Sequence, residues 1–239
     1  MRLRLFVAFA FTAVLLAQSG FSAPQQPGKK TAKEALQQFN DLIGSWRGTA
    51  TPAGTKQEQQ DGFWVETITW SWQFKDKDVW LSAQFDKSKQ FTKGTLHYVP
   101  EKDHFVFKVT NVAKEERTFT GKLSDSILTM DSEPDAKGDV SRVVVTLLHD
   151  NRHLYRLDKK KADRASFANV FKVGATREGV DFASGSGKPE CIVTGGLGTQ
   201  QVTYQGKTYY VCCGGCADEF RANSAKYVKE YEEKKGKKK

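Results

Sequence analysis

The residues best suited to chemistry are the cysteines, which all lie in the C-terminal part of this 239-residue chain. Twenty residues separate Cys191 from Cys212, and three more separate Cys212 from Cys216. The intervening sequence predicts a β-hairpin over Val202–Val211, and Gly214-Gly215 then leads into a helix near Cys216. A hairpin that ends in a glycine turn can bring distant thiols to one point. The full set is Cys191, Cys212, Cys213 and Cys216.

The cysteine spacing and the interleaved aromatic residues resemble the TRASH domain, a heavy-metal-binding module related to YHS domains. The matching positions are Cys191, Cys212, Cys216, Tyr204-x-Gly206-Lys207-x-Tyr209-Tyr210, Phe220 and Lys226-Tyr227. The resemblance implies a small treble-clef-like ββα fold whose three matching thiolates bind a zinc or copper ion. Soft thiolates favour such ions over magnesium or calcium. Cys213 is expected to contribute less, because neighbouring side chains rarely both face one ion.

Two other chemistries are open to the same cysteines. An exported chain with an even number of cysteines often forms disulfides, here between Cys191 and one of the others. Cys213-Gly214-Gly215-Cys216 is also a C-x-x-C sequence at a predicted helix start, as in thiol redox proteins, but their βαβ pattern is missing. In a metal site, the fourth position would be open to exchange or filled by Asp218 or Glu219.

The N-terminal sequence predicts export. Arg2 and Arg4 precede an apolar run from Leu5 to Ala17, and small residues follow, which is typical of a signal peptide over residues 1–23. The apolar run is short for a membrane span. We therefore expect a periplasmic or secreted protein.

A polar linker and a short helix occupy residues 24–43. The helix is predicted from Thr31 to Ile43, because Thr31 and Glu34 can form a capping box. Its apolar side chains recur on one face, as expected for a helix that covers a core. They are Leu36, Phe39, Leu42 and Ile43.

Residues 44–178 predict an antiparallel β-barrel. Apolar and polar side chains alternate in Trp64–Phe74, and about ten such segments follow one another with short polar turns and no second helix. The predicted fold is therefore mainly β, with an approximately ten-stranded barrel before the ββα module.

Gly44-Ser45-Trp46, placed after a helix and at the first strand, resembles the opening of lipocalin-like and nitrobindin-like barrels. The resemblance implies that Trp46 packs across the closed end of the barrel beneath an arginine, either Arg156 or Arg177. Nitrobindin-like barrels can hold haem through a late histidine. The late histidines here, His149 and His153, match no family pattern and are expected at the surface or at a strand edge.

The barrel interior has two interpretations. A barrel of this size can enclose a small apolar ligand, lined by Trp64, Trp70 and Trp72. The same tryptophans can instead fill the core, which is common in small barrels. Glu66 falls on the apolar face, and this suggests a polar ligand contact or a position near the rim.

The remaining segments complete the organisation. Residues 179–189 are rich in Gly and Ser and predict a flexible linker to a metal module at residues 190–233, with few contacts between the two domains. The basic tail at 234–239 predicts a solvated end that touches anionic surfaces weakly, within a net charge of +9. Nothing in the sequence favours nucleic-acid binding.

No catalytic motif is present, so the sequence favours a non-enzymatic, exported protein that captures, carries or senses zinc or copper. The barrel would then bind a ligand or a partner. One alternative is a lipocalin-like small-molecule carrier whose C-terminal module is structural and is closed by zinc or disulfides. The other is an extracytoplasmic thiol redox protein.

Overall fold

A closed antiparallel barrel of ten strands forms most of the molecule, followed by a two-stranded hairpin and a C-terminal helix. The computed structural model describes residues 29–149, 151–178 and 189–236. The predicted signal peptide and most of the predicted Gly/Ser linker fall outside the described residues. The mainly β fold predicted from the sequence is confirmed.

The barrel strands pair antiparallel with their sequence neighbours, and the first closes the barrel against the last. In chain order they are β1 Gly44–Pro52, β2 Trp64–Lys75, β3 Asp78–Asp86, β4 Phe91–Val99, β5 His104–Asn111, β6 Glu116–Ser124, β7 Ile127–Ser132, β8 Val140–His149, β9 Arg152–Lys160 and β10 Ala168–Arg177. The hairpin consists of β11 Gln200–Tyr204 and β12 Lys207–Val211. The helices are α1 Ala32–Leu36, a 3-10 helix at Gln37–Leu42, α2 Lys56–Gly62 and α3 Gly214–Gly236. Of the described helices, none has the length and apolar character needed to cross a membrane.

The predicted N-terminal helix is present over nearly its full length, and its second half has 3-10 rather than α geometry. The capping box of Thr31 and Glu34 is present, but the α-helix ends at Leu36 and continues as a 3-10 helix. Leu36, Phe39 and Leu42 are spaced by three residues and are at most 1% exposed. A three-residue turn aligns this spacing on one side, which places all three side chains in the core.

The expectation of no second helix before the C-terminal segment is wrong. Helix α2 lies between β1 and β2 and begins with a capping box of Thr55 and Glu58. It has no buried residue, so no apolar periodicity marks it in the sequence.

Trp46 closes one end of the barrel, as the lipocalin-like resemblance implied. Its side chain is 1% exposed, and its Nε1 donates to the Leu42 carbonyl over 2.7 Å. The guanidinium of Arg177 lies 4.3 Å from the centre of the indole ring and donates to the Ile43 carbonyl. Arg156 instead pairs with Asp158 at 2.8 Å.

The interior of the barrel is largely filled by side chains. Trp64, Trp70 and Trp72 are buried in the core, and a cavity of about 20 Å³ remains near Trp70 and His153. Glu66 is 1% exposed, accepts from Trp64 Nε1 over 2.7 Å, and accepts a short hydrogen bond from the Tyr155 hydroxyl. Its carboxylate is therefore satisfied inside the core and does not lie at the rim.

The surface position expected for His153 is wrong. This residue points inward from β9, is 3% exposed, and packs edge-on against Trp46 with ring centres 4.4 Å apart. Burial lowers the pKa of His153 to about 3, and the charge of Arg177 acts in the same direction. The imidazole is therefore neutral at ordinary pH. The side chain of His149 lies outside the described residues.

Candidate metal centre

The hairpin of β11 and β12 brings the two ends of the cysteine-containing segment together. Its turn residues Gln205 and Gly206 have φ values of 49° and 74°. Two successive residues in the left-handed region form a tight two-residue turn. The strands pair from Gln200 opposite Val211 to Tyr204 opposite Lys207, so β12 delivers Cys212 beside the segment that precedes β11.

Cys191 lies in a tight turn fixed by backbone hydrogen bonds. Its N–H donates to the Gly196 carbonyl over 2.7 Å, and its carbonyl accepts from the Gly195 N–H over 2.8 Å. Gly195 has φ = 77°, a conformation that glycine adopts without steric cost. The next residue, Ile192, donates to the Tyr210 carbonyl over 2.8 Å, which ties the turn to β12.

The structure brings three of the predicted ligands to one point. The sulfur atoms of Cys191, Cys212 and Cys216 lie within 4.8 Å of one another, and Cys212 and Cys216 are 3.4 Å apart. Zn–S bonds of about 2.3 Å at tetrahedral angles imply sulfur atoms about 3.8 Å apart. The three thiols therefore fit one ion with small adjustments. All four cysteines are free thiols in this structure.

The thiols are buried and hydrogen-bonded to one another. Cys191 and Cys216 are at most 1% exposed. Hydrogen bonds with Cys212 hold the pKa of Cys191 and of Cys213 below the ordinary thiol value. Hydrogen bonds with Cys191 raise the pKa of Cys212 and of Cys216. Metal binding requires thiolates, so a bound cation would displace any thiol protons of the cluster.

Cys213 lies beside the cluster and faces the barrel. Its sulfur is 3.9 Å from that of Cys212 and accepts a hydrogen bond from the backbone N–H of Trp72 over 3.4 Å. It is not one of the three thiols that lie within 4.8 Å of one another.

The carboxylates considered for a fourth ligand are engaged elsewhere. Asp218 is exposed and pairs with Arg221. Glu219 accepts from the Tyr227 hydroxyl over 2.8 Å and from Asn223 over 3.1 Å. The expectation that either one completes the site is therefore not supported by the geometry.

An aromatic cluster holds α3 against the hairpin. Phe220 is 1% exposed and lies 5.8 Å from the ring of Tyr209 and 6.4 Å from that of Tyr204. Because Cys216 and Phe220 are one helical turn apart, the packing of Phe220 fixes the direction of the Cys216 side chain.

The basic tail is exposed at residues 234–236, as expected for a solvated end, but these residues belong to a helix. Helix α3 continues to Gly236, and Lys234 pairs with Glu190 at 2.6 Å. The helix has non-helical backbone angles at Asn223. Residues 237–239 lie outside the described residues.

The C-terminal segment predicted as the metal module, residues 190–233, is called the cysteine module below, and it contacts the barrel through the 3-10 helix. Gln37 and Asn40 each donate a side-chain hydrogen bond to the Thr194 carbonyl over 2.9 Å. Asn40 also lies against Gly196, where an added Cβ would come within 3.0 Å of the Asn40 amide carbon. The expectation of few contacts between the two domains is therefore wrong.

A second contact joins the module to β2, on the edge that β1 leaves unpaired beyond Trp70, while Trp72 pairs with Leu81 of β3 on the other edge. The backbone of Trp72 on the unpaired edge is therefore left for another partner. Its N–H donates to Cys213, and a Cβ at Gly215 would lie 1.8 Å from its carbonyl oxygen. Residue 215 must therefore be a glycine for this approach.

The sequence identifies the thiols but not the residues around them. Thr194 is 1% exposed, and its hydroxyl lies 3.6 Å from the Cys212 sulfur. Asn40 and Trp72 reach the module from far along the chain, and no sequence pattern encodes that proximity. Only the second glycine of Gly214-Gly215 carries a signal, since it marks a close backbone approach.

Comparisons with known proteins add little to this geometry. No protein-family model matches the chain, and no curated protein matches it significantly. The chain was matched to a solved structure of EF1p2_mFAP2b bound to DFHBI, with 10% sequence identity and a TM-score of 0.22. The alignment covers 62% of this chain and 100% of the matched chain. A similarity of this size supports no inference about ligand or activity. The resemblance to TRASH and YHS domains thus stays a prediction from the sequence.

Proposed function

We propose that this protein is a non-enzymatic, exported metal-binding protein that holds one thiophilic ion, zinc or copper, on Cys191, Cys212 and Cys216. The observation that carries the proposal is the convergence of three buried sulfur atoms within 4.8 Å of one another. Thiolate ligands suit Zn²⁺ and Cu(I). The ion would replace the thiol protons of the three cysteines and cross-link the Cys191 turn to the start of α3.

The buried position of the site favours capture or sensing over rapid carriage. Every cysteine is at most 7% exposed, and the barrel covers one side of the module. Release of the ion would then require a local opening, since the thiols have little direct access to solvent.

A competition titration with Zn²⁺ and Cu(I) against a chelator of known affinity tests this function on the reduced, full-length protein. Replacing Cys191, Cys212 or Cys216 with Ser should each abolish high-affinity binding. Cys213→Ser should have a smaller effect and serves as the matched control. If the reduced wild type binds neither ion, or all four cysteines of the native protein are disulfide-bonded, the proposal fails.

A small-molecule carrier is the second candidate. Trp70 and His153 line the interior cavity, and the buried nitrogens Trp70 Nε1 and His153 Nδ1 have no hydrogen-bond partner among the described residues. A ligand that reached the Trp70 indole N–H would need a hydrogen-bond acceptor. The cavity volume of about 20 Å³, however, accommodates a single water molecule, whereas ligand pockets usually measure roughly 300–1,000 Å³. Titration with an apolar fluorescent dye should therefore show no saturable binding, and saturable binding would favour the carrier.

A further inference from the structure

The amide of Asn40 joins the barrel to the cysteine module. Its Nδ2 donates to the Thr194 carbonyl over 2.9 Å, and its Oδ1 accepts from Trp72 Nε1 over 3.2 Å. One end of the side chain thus contacts the module and the other contacts a buried tryptophan of the barrel. Because Trp72 is 0% exposed, its indole provides a rigid support.

The module residues that Asn40 contacts are themselves hydrogen-bonded to cysteines of the cluster. The Thr194 hydroxyl lies 3.6 Å from the Cys212 sulfur. The Gly196 carbonyl accepts the Cys191 N–H over 2.7 Å, and Gly196 packs directly against Asn40. Asn40 is therefore one contact away from two of the three metal-ligand residues.

We infer that Asn40 is a positioning residue of the metal site, so that the barrel and the module bind the ion as one unit. This inference rests on the proposed metal-binding function. Hydrogen bonds made directly to metal ligands orient them, and their loss commonly lowers metal affinity by about 10–100-fold. Asn40 acts one residue farther out, through Thr194 and Gly196, so we expect the lower end of this range. By linkage, if docking to the barrel favours metal binding, metal binding must favour docking equally.

Two substitutions separate the contacts of Asn40. Asn40→Ala removes both hydrogen bonds, whereas Asn40→Asp keeps an acceptor for Trp72 and loses the donor to Thr194. Gln37→Ala removes the other donor to Thr194 and leaves Asn40 intact. The matched control is Gln38→Ala, since Gln38 is exposed and its side chain donates only to the Ala35 carbonyl of the same helical segment.

The measurement is the Zn²⁺ affinity of each reduced, full-length variant by competition with a chelator, together with the chemical unfolding of the metal-free protein. Asn40→Ala and Asn40→Asp should each bind Zn²⁺ about 10-fold more weakly, and Gln37→Ala should show a smaller loss. Gln38→Ala should bind like the wild type. With Co²⁺ as the probe, the thiolate-to-metal absorption should keep its shape in both Asn40 variants, because the ligand set is unchanged.

The outcomes distinguish the inference from the proposed function. If the wild type binds Zn²⁺ and the Asn40 variants bind it equally well, Asn40 does not position the site, and metal binding by the thiols still stands. A loss of metal-free stability with unchanged affinity also overturns the inference, since it shows that Asn40 has a purely structural role. If the wild type binds no metal, the proposed function itself fails.

Discussion

The sulfur of Cys213 accepts a hydrogen bond from the backbone N–H of Trp72 over 3.4 Å. This contact places a thiol of the candidate metal centre directly on the wall of the barrel. The N–H is available because β1 stops pairing with β2 at Trp70. The cysteine module therefore completes the edge of β2, and the stability of each part should depend on the other.

Gly215→Ala should weaken the docking of the module. A Cβ at this position would lie 1.8 Å from the Trp72 carbonyl oxygen, whereas a Cβ at Gly214 would meet nothing within 4 Å. Overpacking of this kind costs about 1–3 kcal/mol. Chemical unfolding should show that loss for Gly215→Ala and almost no change for Gly214→Ala. Equal stabilities for the two variants would show that the close approach at Trp72 does not exist in solution.

Truncation near Ser184 should disturb the barrel. The Gly/Ser linker sequence alone predicts that a chain ending there is folded and monomeric, with an unchanged tryptophan signal, on the premise of few contacts between the domains. In the structure, Trp72 loses its partner Cys213 when the module is removed. We therefore expect an altered near-ultraviolet circular dichroism spectrum and a lower melting temperature. A truncated chain that matches the full-length protein in both measurements would show that the module is an independent appendage.

Trp46→Ala should cost about 3–5 kcal/mol of unfolding free energy, as is typical for removing a large buried aromatic side chain. The indole is 1% exposed and packs between Arg177 and His153. Trp80, which is only half-buried in β3, provides the control, and Trp80→Ala should cost less. A melting curve that Trp46→Ala leaves unchanged would contradict the closed end of the barrel.

These residues illustrate how much of the fold could be predicted from the sequence. The strands were predictable because a half-buried sheet forces side chains to alternate. The burial of Trp46 at one end of the barrel was predictable from its position in Gly44-Ser45-Trp46 after a helix. Helix α2 was missed because none of its residues is buried. The burial of His153 was missed because its neighbours on β9, Arg152 and Leu154, gave no clear pattern of inward-facing side chains.

The candidate metal site also has features that were predictable from the sequence and features that were not. The three thiols were predictable because local elements, a turn, a hairpin and a helix start, gather them. Asn40 and Trp72 were not, because hydrogen bonds between segments more than 100 residues apart depend on how complete domains pack. A flexible linker sequence indicates that two domains are separate in the chain, but it does not indicate whether their surfaces fit.

Stability should fall in acid because of His153. Its pKa is lowered to about 3 in the folded protein from an ordinary value of 6.5. Between these values the unfolded chain binds a proton that the folded protein does not bind. The free energy of unfolding is therefore not reduced by His153 above pH 6.5. It falls by up to about 1.4 kcal/mol per pH unit as the pH falls toward 3. Urea unfolding of His153→Leu should show a shallower pH dependence than the wild type. The same slope in both would mean that His153 is accessible to protons in the folded state.

Removal of the metal should loosen the cysteine module before the barrel. The module has a small core of its own, and such units usually need a metal or disulfides for stability. Hydrogen exchange should therefore show faster exchange in residues 189–211 after chelation, with β3 to β9 retaining their protection. Uniform protection with and without metal would indicate that the module is already fully ordered by its contacts with the barrel.

X-ray absorption at the metal edge of the reduced, Zn²⁺-loaded, full-length protein tests the central claim most directly. The predicted result is one ion per chain with a shell of three sulfur atoms at about 2.3 Å, and loss of the bound ion in Cys191→Ser, Cys212→Ser and Cys216→Ser. A shell made only of oxygen and nitrogen atoms, or the absence of bound metal after desalting, would contradict it.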